Sequence, residues 1–256
     1  MRGFTQLTIT LCFFLTLSAC VPNQYQQNLE PISLLKQSQS HIQSASVVIG
    51  LDPNNSRNFI PQQQVAANQQ GGLLGAIIAS AITNSMNNDL QAQAALMTPI
   101  KNAAIEYNFG SQYRQKLAKT IKKLKWFQLN SVTKTPEFQR ANPEYLTHQF
   151  KGDSIIVSDV FYKMAEDFSK ITFTSYVCIY PNNDMLKKLA RKYSPEKEHP
   201  VLFQKKFSHD YRFEGQYYDA SQAASNWAKN NARMVRRAFD KGINSLSNLI
   251  ANDLHL

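Results

Sequence analysis

Three stretches in the second half of the chain are rich in β-branched and aromatic residues, and the last two alternate inward and outward positions with a period of two: "DSIIVSDVFYKM" (153–164), "KITFTSYVCIY" (170–180) and "PVLFQKKFSHDYRF" (200–213). In the second, Ile171, Phe173, Val177 and Ile179 share one face, while Thr172, Thr174, Tyr176 and Tyr180 share the other. In the third, Val201, Phe203, Phe207, Tyr211 and Phe213 alternate with Gln204, Lys206, Ser208 and Arg212. Such segments, rich in β-branched and aromatic residues, form strands with one buried face, and antiparallel pairing leaves the other face for water or a partner. The pattern predicts a three-stranded meander. Two shorter runs, "SVVIGL" at 46–51 and "WFQLNSVTKT" at 126–135, predict further strands.

Helical spacing appears elsewhere. From Ser111, a candidate N-cap, Tyr113, Leu117, Ile121 and Leu124 form one stripe, and Arg114, Lys116, Lys119, Lys122, Lys123 and Lys125 form the opposite face. A basic amphipathic helix of this kind either lies on an anionic surface or packs on a sheet with its cations in water. "NDMLKKLARKYSPEKEH" between the second and third strands predicts a short basic helix and loop, and 137–148, interrupted by Pro143, a short helical hairpin or loop. The last segment, 220–254, predicts one long helix with Trp227, Met234, Ala238, Leu246, Leu249 and Ile250 inward, and Lys229, Arg233, Arg236 and Arg237 around it. These elements add up to an α+β domain over 46–256. Its sheet is expected to be mainly antiparallel and packed against two or three helices.

Residues 71–107, beginning "GGLLGAIIASAIT", read as a helix whose first part is apolar on every side. Gly71, Gly72 and Gly75 would admit another backbone closely. The apolar run from Leu73 to Ile82 has about half the length that a hydrocarbon core of about 30 Å requires. Two readings follow for 71–86: a helix buried or in contact with a partner, or a segment at an oligomer interface or in a membrane. Pro99 should break or kink this helix, which can resume from Ile100. The polar stretch 52–70, with Pro53 and Pro61, is expected to be loop.

The first residues have the layout of an export signal: Arg2, an apolar run from Leu7 to Leu17, then the small residues Ser18 and Ala19 before Cys20. "LSAC" at 17–20 resembles the lipobox of bacterial lipoproteins. That resemblance implies a signal peptide over 1–19, cleavage before Cys20 and acylation of its thiol and N-terminus. With Val21 and Pro22 following and no Asp at the second mature position, it also implies transfer to the outer membrane of a Gram-negative cell. Two or three acyl chains hold a protein stably where one does not. The Gln-rich residues 20–45 then read as a flexible tether. With Cys12 removed and Cys20 acylated, Cys178 is left single and reads as a small buried hydrophobe.

Charge adds to this picture. The chain carries 28 Lys and Arg against 18 Asp and Glu, a formal net charge of +10. Contact with anionic surfaces is favoured, whether lipid headgroups, peptidoglycan or an acidic protein. An envelope address argues against nucleic acid. Catalytic patterns are sparse. "GDSI" at 152–155 resembles the nucleophile block of GDSL esterases and lipases, with Ser154 as the serine. The C-terminal Asp253-Leu254-His255 lacks that family's Asp-x-x-His spacing, so the block reads better as a turn opening a strand. His41, His148, His199, His209 and His255 are scattered without metal-site spacing, and His209 and Asp210 should point to opposite faces of a strand. No catalytic, cofactor or metal residue is assigned.

The order strand, helix, helix, strand, meander, helix resembles the periplasmic domains of lipoproteins such as curli-secretion-channel subunits and activators of penicillin-binding proteins, in architecture alone. The sequence therefore points first to a non-enzymatic lipoprotein, anchored to the outer membrane at Cys20 and facing the periplasm. It would be a scaffold or assembly factor of an envelope complex, with a protein or peptidoglycan partner. An oligomeric channel using 71–86 and a periplasmic hydrolase are the alternatives.

Overall fold

In the computed structural model, residues 31–51, 55, 59–60, 97–135, 142–195, 198–213, 215 and 219–255 are described. The strands are β1 (Ile32–Ser33), β2 (Ser44–Leu51), β3 (Gln128–Lys134), β4 (Ser154–Met164), β5 (Lys170–Pro181) and β6 (Phe203–Arg212). The helices are α1 (Leu35–Ser38), α2 (helical residues 97–106), α3 (Phe109–Ile121), α4 (Pro143–Gln149), α5 (Asp184–Tyr193) and α6 (Ala220–Leu254). They form one α+β domain on a six-stranded sheet of order β1-β6-β5-β4-β2-β3.

The meander is present. β4 pairs antiparallel with β5, and β5 with β6, with the faces the alternation predicts: along β5 every second residue from Ile171 to Pro181 is buried. The sheet is mainly antiparallel as expected, with β1 also pairing antiparallel with β6, but it is mixed, because β2 pairs parallel with both β3 and β4. Parallel neighbours need crossover connections, and the helices supply them, with α3 between β2 and β3 and α4 between β3 and β4. Central position explains the composition of β2. It is buried on both faces from Ala45 to Gly50, so it reads as a continuous apolar run instead of an alternation.

The main core lies on one face of the sheet, the inner face, under α2, α3 and α6. Tyr113, Leu117 and Ile121 are fully buried there, so the apolar face of the basic helix is taken up by packing and only its cations remain outside. At the centre, Phe109 lies 4.6 Å from Tyr162 and 5.5 Å from Phe239, ring centre to ring centre, and Phe59 lies 5.4 Å from Phe239. Phe59 comes from the stretch expected to be loop. Its backbone is irregular, yet its side chain is fully buried and its carbonyl accepts from Met164 N–H at 2.9 Å. A smaller cluster of Val48, Leu146, Ile155 and Val157 forms on the outer face, covered by α4.

Several expectations are corrected. The tether boundary at 45 is too late, since Leu34, Leu35 and Ile42 are buried and β1 and α1 lie within 31–43; only polar residues between them suggested an arm. The N-cap of α3 is Asn108, in the left-handed region at φ 51°, and not Ser111. Helical residues 97–106 run through Pro99, so the helix is already formed before Ile100. On α6, Leu249 is 40% exposed, and Val235, Phe239 and Ile243 do the packing in its place. Cys178 is only half-buried, on the outer face of β5 with Tyr176 and Tyr180. The segment 71–86 and residues 1–30, Cys20 included, lie outside the described residues.

Candidate functional site

The strand termini define two ends of the body. Ser44, Ser154, Pro181 and Phe203 lie at one, and Leu51, Met164, Lys170 and Arg212 at the other. The chain enters at the first, where Ile32 pairs with Gln204 and Leu34 N–H donates to the Leu202 carbonyl at 2.7 Å. The two are called the entry end and the far end below.

The Gly-Asp-Ser turn organises the entry end. Gly152 has φ +130°, and a Cβ there would meet the Ser44 carbonyl and the Ala45 backbone at 3.3 Å, so glycine is required. The Asp153 carboxylate accepts from the backbone N–H of Gln43 (3.0 Å) and Ser44 (2.9 Å), from Ser44 Oγ (3.2 Å) and from Asn183 Nδ2 (3.1 Å). Burial works to raise its pKa, but these donors outweigh burial and hold the carboxyl below its ordinary range. Asn183 also caps α5, its side-chain oxygen accepting from Leu186 N–H at 2.8 Å. Asn182 donates to the carbonyls of Phe150 (3.1 Å) and Gly152 (2.9 Å). One turn thus fixes β2, β4, the end of α4 and the start of α5.

Between α4 and α5 this framework leaves a groove of about 660 Å³ lined by His148, Tyr180, Lys187, Arg191 and His199 among others. Burial pushes the Tyr180 phenol well up, and neighbouring Cys178 and Asp159 act in the same direction. Two of the scattered histidines thus line one groove, a grouping that only the tertiary fold creates. Among the described residues no three His, Cys, Asp or Glu side chains converge to hold a metal ion.

At the far end α6 is broken. Lys229 is extended (ψ 146°), and Asn230, Asn231 and Ala232 are left-handed at φ 53°, 54° and 53°. The first half is pinned by Trp227, whose ring N–H donates to the Phe168 carbonyl at 2.7 Å. The second half is pinned by Arg236, which donates to the Asn231 carbonyl and, at 2.9 Å, to Glu106. Beside the kink lies a groove of about 730 Å³ lined by Phe213, Lys229, Arg233, Met234 and Arg237. The sequence identifies these cations but not the break. Its signal is the Asn-Asn pair, because asparagine tolerates the left-handed region better than most residues.

No protein-family model matches the sequence, and no curated protein does. Among solved structures, a Xanthomonas campestris protein described by the family model DUF330 is similar over 83% of this chain and 86% of its own, with 8% identity and a TM-score of 0.26. A likeness at that level carries no argument about function.

The residues singled out for chemistry are dispersed. Ser154 is 1% exposed as the first residue of β4, where it pairs with Pro181. Asp253 is engaged by Lys205 Nζ at 2.5 Å. His209 and Asp210 do face opposite ways. Asp210 accepts from Lys170 (2.7 Å) and Thr172 (2.7 Å) on the outer face, and burial lowers the pKa of His209. The described interior also holds a closed triangle of hydroxyls, Tyr113 to Ser158 (2.8 Å), Tyr113 to Ser175 (3.1 Å) and Ser158 to Ser175 (3.0 Å). Burial pushes the Tyr113 phenol up to about 12, against the easing effect of the two serines.

Proposed function

We propose that the protein is a lipoprotein of the bacterial outer membrane, acylated at Cys20. Its body acts as a non-enzymatic adaptor of a cell-envelope complex and holds an acidic protein segment, or the peptide of peptidoglycan, in the far-end groove. The observation that carries this reading is the groove beside the α6 kink, which sets Lys229, Arg233 and Arg237 next to Phe213 and Met234 at the end of the body away from the chain's entry. A body held at one end by its N-terminal arm presents that groove outward. Guanidinium groups pair with carboxylates through two parallel hydrogen bonds, and the flanking apolar side chains exclude water from such pairs. The lipobox supplies the address, and the net charge of +10 favours an acidic partner.

A photo-crosslinking residue at Met234 in intact cells, followed by identification of the adducts, tests the reading. A specific envelope protein or peptidoglycan peptide is expected, with recovery falling about tenfold or more in the Arg233→Glu/Arg237→Glu variant. Cys20→Ala should move the protein out of the membrane fraction. Recovery of lipid and self-adducts alone would remove the support for an adaptor.

A further inference from the structure

We infer that the entry end is a membrane-contacting face, with α5 lying on an anionic phospholipid surface, Met185 and Tyr193 in the headgroup layer, and its cations against lipid phosphates. This inference rests on the acylation of Cys20 proposed above.

Helix α5 seals the end of the core with Leu186 and Ala190, both fully buried. Outward it shows Lys187, Lys188, Arg191 and Lys192, all exposed, and among the described residues none of the four is in an ion pair. Met185 is 58% and Tyr193 51% exposed, two of the four large exposed apolar residues in the described chain. Interleaved with cations on one short helix, they match an interface whose outer layer is anionic and whose depth is apolar. Lys122, Lys123 and Lys125 add exposed charge at the same end, in the turn leading to Gln128, which pairs with Ser44.

The anchor geometry selects a membrane over an acidic protein as the occupant. Ten residues lie between Cys20 and Pro31, so eleven steps of chain give a reach of at most about 40 Å when fully extended. Since the chain enters the fold beside Leu202, close to Pro200 on the rim of the α4–α5 groove, the anchor draws this end toward the bilayer. Tethering converts weak surface contacts into intramolecular ones at high effective concentration.

The test uses the full acylated chain in vesicles of phosphatidylcholine, with or without one third phosphatidylglycerol. An environment-sensitive dye is placed at Met185→Cys or, as a far-end control, at Glu166→Cys, each in a Cys178→Ser background. Amide exchange of the unlabelled native protein is followed in parallel, so that a label-induced folding defect cannot decide the outcome. Anionic vesicles should blue-shift the dye at 185, leave that at 166 unchanged and slow exchange over 184–193 several-fold. High salt and the Lys187→Gln/Lys188→Gln/Arg191→Gln variant should abolish all of these effects. Equal signals in the two vesicle types, or equal response at 166, would overturn the inference. Flotation with neutral vesicles reports the anchor separately: if it fails, the acylation reading falls, while the dye and exchange responses to added anionic vesicles still decide this one.

Discussion

Asp153 does more for this fold than its place in a three-residue turn suggests. Hydrogen bonds to a charged group are each worth about 1.5–3 kcal/mol, and Asp153 accepts four from three residues at the starts of β2 and α5. Asp153→Asn keeps the shape but removes the charge, and should cost about 1.5–3 kcal/mol at neutral pH, measured by denaturant unfolding. Because the folded carboxyl titrates below its ordinary range, its contribution is present above about pH 3.9 and lost as pH falls through the lower folded value. The gap between wild type and variant should therefore close in acid. Tyr113 gives the opposite case. Its phenol is raised to about 12, so the stability tied to it is full below about pH 10 and lost as pH rises through 12. Tyr113→Phe should flatten that alkaline decline in a stability–pH curve, at a cost near neutrality of only about 1 kcal/mol, because Ser158 and Ser175 keep each other.

Among the elements, α6 shows where periodicity informs and where it misleads. The inward positions Trp227, Ala238, Leu246 and Ile250 are legible from helical spacing and are buried. Leu249 is not: after the break at 229–232 the buried stripe runs through Phe239, Ile243, Leu246, Ile250 and Leu254, and Leu249 falls outside it although it is as apolar as its neighbours. Ala232 sits left-handed there without the freedom of glycine, a strain of about 1–2 kcal/mol. Ala232→Gly relieves the strain but loses a buried methyl, whereas Ala238→Gly in regular helix loses the methyl and adds flexibility. Thermal unfolding should show the first to be milder than the second by at least about 1 kcal/mol. Where α6 crosses β5, a Cβ at Gly242 would stand 2.6 Å from the Phe173 ring. Gly242→Ala should destabilise by about 1–3 kcal/mol despite alanine's better helix propensity, as a urea midpoint would report. The strands were more legible than the helices' contacts, since alternation along β5 and β6 depends only on which face is buried, and β4 was legible from its β-branched and aromatic content. The parallel placement of β2 was hidden, because a run buried on both faces carries no information on the direction of its neighbours. His148 and His199 were hidden for a related reason, since they come to line one groove only when the fold brings α4 and the segment after α5 to the same sheet end.

For the whole molecule, the domain begins earlier than composition suggests. Leu34, Leu35 and Ile42 are buried among core residues of the entry end, and fully burying such a side chain is worth about 1.5–3 kcal/mol. A chain beginning at Pro31 keeps all three of these side chains. One beginning at Ser44 should lose about 4–8 kcal/mol, or fail to fold, in calorimetry.

The two-residue strand β1 also has a mechanical meaning. If the N-terminal arm is held and a partner pulls on the opposite end, the first links to carry the load are the β1 pairing and the Leu34 N–H to Leu202 bond. They are few and would break in succession. Behind them the load reaches β2, which is hydrogen-bonded along its length to β3 on one side and β4 on the other. Pulled along its own axis, β2 must shear both ladders at once. The fold thus has a weak link at its rim and a strong one at its centre: under tension the two-residue β1 pairing and the Leu34–Leu202 bond part before either ladder of β2.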